Sequence, residues 1–333
     1  MTMNTTLLTG GTGFVGAAVA RALLARGHAV RALARHGSDR RNLDGLPLDV
    51  VEGDLTDPAS LRRAVTGCRF VIHVAADYRI WVPDPAAMLR ANVDGTRALF
   101  LAALDVGVER IVHCSSVAAL GLTGDGTPAD ETTPVSEEKI VGIYKKSKYR
   151  AERAVLELVR THALPAVIVN PSTPVGPRDI KPTPTGKMIL DGAAGRMPAY
   201  VDTGLNVVHV DDVAEGHLLA LERGRIGEKY ILGSENLSLR ALLGMVAAEA
   251  GRRPPTVRLP NAALWPLALA CEGVARLTGV EPLVTRDHLR MARKKMFFSS
   301  AKAKADLGYA PRVAAEAVHD AVAWLRASGR LPA

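Results

Sequence analysis

Thr9-Gly10-Gly11-Thr12-Gly13-Phe14-Val15-Gly16 follows a short apolar run at 5–8 and precedes a stretch, 17–25, whose apolar residues have helical spacing. A strand, a glycine turn and a helix in that order suit a dinucleotide for a physical reason. The glycines permit a tight turn and let the backbone approach a pyrophosphate closely. The helix N-terminus then offers unpaired N–H groups and a positive dipole end. That context separates the stretch from a plain glycine turn. Gly10, Thr12, Gly13, Phe14, Val15 and Gly16 are therefore expected to contact the cofactor.

Outward from the turn, short apolar runs alternate with amphipathic stretches. Strands are expected at 28–34, 49–52, 70–75, 110–114 and 166–170, and helices at 60–65, 86–106 and 139–161. This alternation predicts an α/β protein, a Rossmann doubly wound parallel sheet covered on both faces. After Asn170 the composition shifts, with five prolines in 171–184 favouring an ordered, non-helical crossing. Further strands are expected at 206–210 and 229–232, and helices at 239–251, 262–278 and 314–327. The expected division is a dinucleotide-binding domain at 1–170, to whose sheet the strands near 206–210 and 229–232 return. A smaller, mostly C-terminal α/β substrate domain takes 171–205 and 236–330.

The 333 residues can bury a full core, and 48% hydrophobic with 23% charged residues is the ordinary globular balance, which excludes a disordered or collagen-like chain. Aromatics at 4% argue against a stacking surface for single-stranded nucleic acid, and no basic-plus-aromatic pattern supports nucleic-acid recognition. Cys68, Cys114 and Cys271 form neither a zinc spacing nor a disulfide framework. No metal site is expected, and the expected compartment is a reducing cytoplasm, at most peripheral to a membrane. The N-terminus shows no signal-peptide pattern, and no apolar run is long enough to span a bilayer. A formal charge of +8 permits anionic partners such as a phosphate-bearing cofactor or acidic lipid.

The second strand decides which dinucleotide. A carboxylate at its end would hold the ribose hydroxyls of NAD, whereas this strand ends at Arg35, whose guanidinium suits a 2′-phosphate. NADP is expected over NAD, with Arg40 and Arg41 able to assist and Asp39, in the following turn, as the rival acid. Asp54 is placed to accept from the adenine amino group, with Leu55 against the ring. Val74, Ala75 and Ala76 are small enough to let the nucleotide pass close to the backbone, and Asn92 is expected to tie sheet to helix.

Ser115-Ser116 ends the fifth strand, and Tyr144 and Lys148, four apart, share one helix face. A neighbouring ammonium and an oxidised nicotinamide both favour phenolate, so Tyr144 can exchange a proton with an alcohol or carbonyl. Ser116 would hydrogen-bond the same oxygen, and Lys148 would also hold the nicotinamide ribose.

The order of these residues resembles the extended short-chain dehydrogenase/reductase family, the NAD-dependent epimerase/dehydratase group, over nearly the whole chain. In that family the glycine loop binds NAD(P), and Ser, Tyr and Lys catalyse. The likeness of Ser116-Val117-Ala118-Ala119-Leu120-Gly121 implies Ser116 rather than Ser115 as the catalytic serine. It also implies cofactor contacts at Pro171 and Pro174, and a homodimer through the helices near 86–106 and 139–161. Residues 30–35 look like the dihydroflavonol reductase branch. Val74-Ala75-Ala76-Asp77-Tyr78, Asn170-Pro171-Ser172-Thr173-Pro174-Val175-Gly176-Pro177-Arg178-Asp179, 206–213 and 291–300 look like the hopanoid-associated sugar epimerases.

The resemblance implies an NADP-dependent oxidoreductase or epimerase acting on a hopanoid-linked sugar or polyol, a small-molecule or lipid-linked substrate. A carbonyl reductase resembling dihydroflavonol or steroid reductases is the alternative enzyme. A non-catalytic NADP-sensing protein is the alternative of another class. Asp77, Tyr78 and Trp81, at the carboxyl edge of the sheet, are candidates to meet the substrate, with Ser116, Arg178 and Asn206. Asp179, Lys181 and Tyr200 have a similar status, whereas His209 and Asp211 are expected to tie the returning strand to its helix. The stretch 262–275 is expected to pack in the core, with a peripheral bilayer contact beside Arg293, Lys294 and Lys295 as the alternative.

Overall fold

Strand β1 (Thr5–Thr9) lies inside a seven-stranded parallel sheet. On one side it pairs with β2 (Ala29–Ala34), which pairs with β3 (Asp49–Glu52). On the other side follow β4 (Phe70–His73), β5 (Arg110–Cys114), β6 (Ala166–Pro171) and, at the edge, β10 (Lys229–Leu232). The structure, a computed structural model, describes residues 5–79, 82, 84–278, 282 and 285–331. Trp81, a candidate substrate residue, lies outside the described residues.

Neighbouring residues of each strand enter opposite cores. Leu8, Ile72, Val112 and Val167 face α1 (Phe14–Ala25) and α7 (Val210–Arg223). Leu7, Val71, Ile111 and Ile168 face α2 (Pro58–Val65), α4 (Gly95–Asp105) and α5 (Ile143–His162). Burial on both faces is why these strands read as continuous apolar runs. The strand order reverses between β2 and β4, so the crevice at the carboxyl ends of β1 and β4 is the switch point.

A second sheet is centred on β9 (Gly204–His209), flanked by β7 (Thr173–Val175), β11 (Glu235–Ser238) and β13 (Lys295–Met296). Helices α6 (Pro184–Ala193), α8 (Leu239–Glu249) and α12 (Ala314–Ala327) pack their Ile189, Leu242, Val246, Val318 and Val322 against Val207. Strand β8 (Ala199–Tyr200) pairs with β12 (Val257–Arg258). The remaining helices are α3 (Pro85–Leu89), α9 (Trp265–Thr278), α10 (Arg286–Met291) and α11 (Ala301–Leu307).

Four expectations are corrected. Residues 229–232 do join the main sheet, but 206–210 do not. Strand β9 is drawn into the second sheet by its antiparallel register with β11, and Asn206 donates to Asn236 at 2.8 Å and to the Phe298 carbonyl at 3.2 Å. The helix expected at 86–106 is interrupted by a π-turn, Arg90–Asp94, that carries Asn92. The helix expected at 139–161 begins at Ile143, because Gly142 adopts φ +87° after a short 3₁₀ turn, Glu137–Lys139. The stretch 262–275 is not a core element: α9 buries Ala268 and Ala275 but leaves Leu267, Leu269 and Val274 exposed.

Candidate active site

The glycine turn packs where only hydrogen fits. A Cβ on Gly10, itself at φ +75°, would lie 2.6 Å from the Ala75 nitrogen, and one on Gly16 would lie 2.0 Å from the Gly10 carbonyl oxygen. The turn is thus pressed against residues 74–76 on one side and α1 on the other. Buried Asn42 donates to the Thr12 carbonyl at 3.2 Å and steadies the loop. The α1 N-terminus has no side-chain cap and no acid in its first turn. It therefore presents its positive end to the crevice, and Phe14 and Pro174 close a small apolar gap beside it. Pro171 is buried at the end of β6, in register with Leu232.

Beyond the turn opens a cavity of about 520 Å³ bounded by Arg35, Ser38, Gly53, Asp54, Ser60 and Arg63. Among the described residues the Arg35 guanidinium makes no ion pair, whereas its neighbours are spent: Arg40 donates to Glu52 at 2.9 Å and Arg41 to Asp39 at 2.6 Å. Arg40 and Arg41 are therefore not free to assist Arg35, and Asp39, the rival acid, is held down at about 2 by Arg41. The Asp54 carboxylate accepts from the Thr56 N–H at 2.8 Å and hydroxyl at 2.6 Å. Burial raises its pKa, but those bonds and Arg35 outweigh burial and leave it below the ordinary value. Leu55 meets α4 at Gly95, where a Cβ would lie 2.8 Å from it. These residues fit a dinucleotide: the turn admits a backbone-close pyrophosphate, and the cavity ends at Arg35, a cation in no ion pair among the described residues.

Ser116, Tyr144 and Lys148 come together at the end of β5. Ser116 accepts from the Ala118 N–H at 3.1 Å, opening a 3₁₀ turn, and its hydroxyl lies near enough to the Tyr144 phenol to influence it. Lys148 donates to the Cys114 carbonyl at 2.7 Å. Burial pushes the Tyr144 phenol up to about 12, against the lowering influence of the Ser116 hydroxyl, and burial lowers the Lys148 ammonium. Tyr144 is thus held as a phenol able to donate.

Two supports were missing from the sequence reading. Glu152, one turn beyond Lys148, is buried; it accepts from Ser115 at 2.6 Å and Asn170 at 2.7 Å and pairs with Lys229 at 3.4 Å. The Asn170 amide also donates to the Ser116 carbonyl at 3.0 Å. The four-residue step from Lys148 to Glu152 was the signal available. Asn92 ties the sheet to a helix as expected, and does more. Its side chain accepts from the Asp77 N–H at 2.7 Å and donates to the Asp77 carbonyl at 2.8 Å and to Ser147 at 2.9 Å.

The candidate substrate residues divide. Asp77 and Tyr78 sit on the loop after β4, with the Asp77 carboxylate paired to Arg79 and Tyr78 exposed. Arg178, at φ +72°, turns its side chain to Asp211 at 3.1 Å. Asp179 is buried and accepts from Thr183, and Asn206 is used inside the second sheet. Lys181 is exposed and Tyr200 half-buried. His209 caps α7 through the Asp211 N–H and contacts Asp320 at 3.0 Å, a structural tie of the kind expected.

The family model described as the NAD dependent epimerase/dehydratase family matches residues 6–233. A putative dihydroflavonol 4-reductase of Synechocystis sp. is 46% identical, covering 97% of this chain and 94% of that one. Sterol demethylase protein B of Methylococcus capsulatus is 36% identical over 98% of this chain and 100% of that one. The crystal structure of gox2253 is 64% identical, with a TM-score of 0.89, covering 98% of this chain and 99% of that one.

Proposed function

The chain belongs to the NAD dependent epimerase/dehydratase family of extended short-chain dehydrogenase/reductases, and on that premise we propose that it is an NADP-dependent reductase of a carbonyl group. The observation that carries this reading is the meeting, at the end of β5, of Ser116 with the half-buried Tyr144 phenol and of Lys148, which donates to the Cys114 carbonyl at 2.7 Å. A phenol so held stays protonated at neutral pH, and a cation beside it that stabilises the phenolate lets it pass that proton to the substrate oxygen.

NADPH, when bound, supplies the hydride. The chain's residues do the rest. Ser116 and Tyr144 hold the substrate oxygen, and Tyr144 Oη delivers the proton to it as the carbonyl carbon becomes a carbinol. Lys148, four residues on, places positive charge beside the phenol and favours its transient loss of a proton. Glu152 and Asn170 fix the Ser115-Ser116 backbone through the bonds described. Gly10, Thr12, Gly13, Phe14, Val15 and Gly16 would cradle the pyrophosphate, with Val74, Ala75, Ala76, Pro171 and Pro174 around the nucleotide. Asp54 and Leu55 would face the adenine, and Arg35 would grip the 2′-phosphate. Arg35, in no ion pair among the described residues, supports NADP over NAD, and the relatives carrying reductase names support a reductive step.

The family description supports a second reading, epimerisation at a carbinol carbon of a sugar-like substrate. The hopanoid-linked substrate rests on the resemblance of the four segments quoted above. One experiment separates the readings: titration of the purified protein with NADPH and NADH, with mass spectrometry of any cofactor retained. Tight, exchangeable NADPH with weak NADH is the expected result. A co-purifying cofactor that does not exchange favours epimerisation, and retained NAD overturns the role of Arg35.

A further inference from the structure

Helix α9 presents an apolar face to solvent. Leu267, Leu269 and Val274 are 46%, 53% and 58% exposed. Ala262, Ala263, Pro266, Ala270 and Gly273 are exposed at helical spacing around them. Glu272 is turned the other way, where it holds Arg286 at 2.8 Å. A surface helix ordinarily shows its charged side to water and its apolar side to the core. In α9 the described residues have the reverse arrangement.

The surroundings are cationic. Residues 250–296 hold nine lysines and arginines against three acids, so most of the chain's +8 resides here. Arg293, Lys294 and Lys295 are exposed in succession, and among the described residues none of the three makes an ion pair. The Arg293 guanidinium lies 5.9 Å from the Trp265 ring, which brings this cationic turn to the start of α9. No helix among the described residues is long and apolar enough to cross a membrane.

We propose that α9 docks on a bilayer containing anionic phospholipid, its apolar face in the headgroup layer and the 293–295 turn against lipid phosphates. An apolar helix face beside lysines and arginines is the pattern of interfacial binding, in which hydrocarbon burial and charge attraction add. A second copy is a poor occupant, because a two-fold contact through this face would set the same basic turns near each other. The docking does not depend on the reaction proposed above. It also brings the cleft close to the bilayer: Met296, one residue past the turn, touches the Lys145 ammonium at 3.6 Å, next to Tyr144.

The test is flotation of the full-length protein with vesicles of phosphatidylcholine alone and with about a quarter phosphatidylglycerol. Wild type is expected to float with the anionic vesicles and not with the neutral ones, and to be released by about 0.5 M salt. The double variant L267E/L269E and, separately, K294E/K295E are expected to lose about tenfold or more in partitioning while titrating with NADPH as wild type does. Wild type left at the bottom with anionic vesicles overturns the proposal, as does L267E/L269E floating equally well. A wild-type dimer that L267E/L269E converts to a monomer assigns the face to a second copy and likewise overturns it.

Discussion

The Asn92 amide donates to the Ser147 hydroxyl at 2.9 Å and to the Asp77 carbonyl at 2.8 Å, while its oxygen accepts from the Asp77 N–H. One buried side chain thereby couples the loop after β4 to the helix that carries Tyr144 and Lys148. Ser147 in turn donates to the Tyr144 carbonyl at 2.7 Å. Asn92→Leu removes these partners together. Each buried polar group left unpaired costs about 1–3 kcal/mol. The expected outcome is a Tm lowered by several degrees and a kcat that falls more than NADPH affinity, read by thermal melts and steady-state kinetics; unchanged values of both would count against the coupling.

Tyr144→Phe keeps the ring and removes the proton. Carbonyl reduction is expected to fall by about 10²–10⁴-fold, the usual contribution of a positioned acid, with NADPH binding unchanged by fluorescence titration. Full turnover in this variant would remove Tyr144 from the mechanism.

The pH dependence of that step has a definite sign. With its phenol raised to about 12, Tyr144 stays protonated across the neutral range. Reduction should therefore be flat from neutral into alkaline pH, and alcohol oxidation should rise with pH. Profiles of kcat in both directions decide this; oxidation that falls with rising pH contradicts the assignment.

Arg35→Ser removes the cation at the cavity rim. A charge-assisted bond to phosphate contributes about 1.5–3 kcal/mol. NADPH should weaken by about ten- to a hundredfold on that basis, while NADH changes little. Calorimetric titration of both cofactors is the check, and equal losses would show that Arg35 does not read the 2′-phosphate.

Three buried histidines give the fold an acid sensitivity. Burial lowers His73 to about 3 and His217 to about 4, and lowers His113 well below its ordinary value. The unfolded chain takes up these protons near pH 6.5 and the folded chain does not. Stability is therefore complete above pH 6.5 and declines as pH falls, by about 1.4 kcal/mol per unit for each histidine. Urea midpoints measured from pH 7 to 5 should drop steeply; a flat series would mean that these rings protonate in place.

The parallel sheet was legible because strands buried on both faces leave apolar runs such as 166–170, and the glycine turn announces the helix it precedes. The grouping of Ser116, Tyr144 and Lys148 was legible because a strand end and a four-residue helical step are local patterns. What escaped depends on distant partners. Nothing near Asn206 says that Asn236 and Phe298 will claim its amide and its strand. The π-turn at Asn92 appears only once Asp77 and Ser147 are in place. Apolar composition at 262–275 also says nothing about which neighbour, if any, covers the helix.

The second sheet is sewn to the first by several short passes of chain. Strand β6 ends at Pro171 and β7 begins at Thr173; α7 starts at the residue after β9; β10 and β11 are separated by Gly233 and Ser234. A hinge absorbs its rotation in a few residues of one connection. Here the three connections named would have to bend at once about a common axis, and none of the three has slack to do so. These short passes oppose a jaw-like rotation of the second sheet against the first.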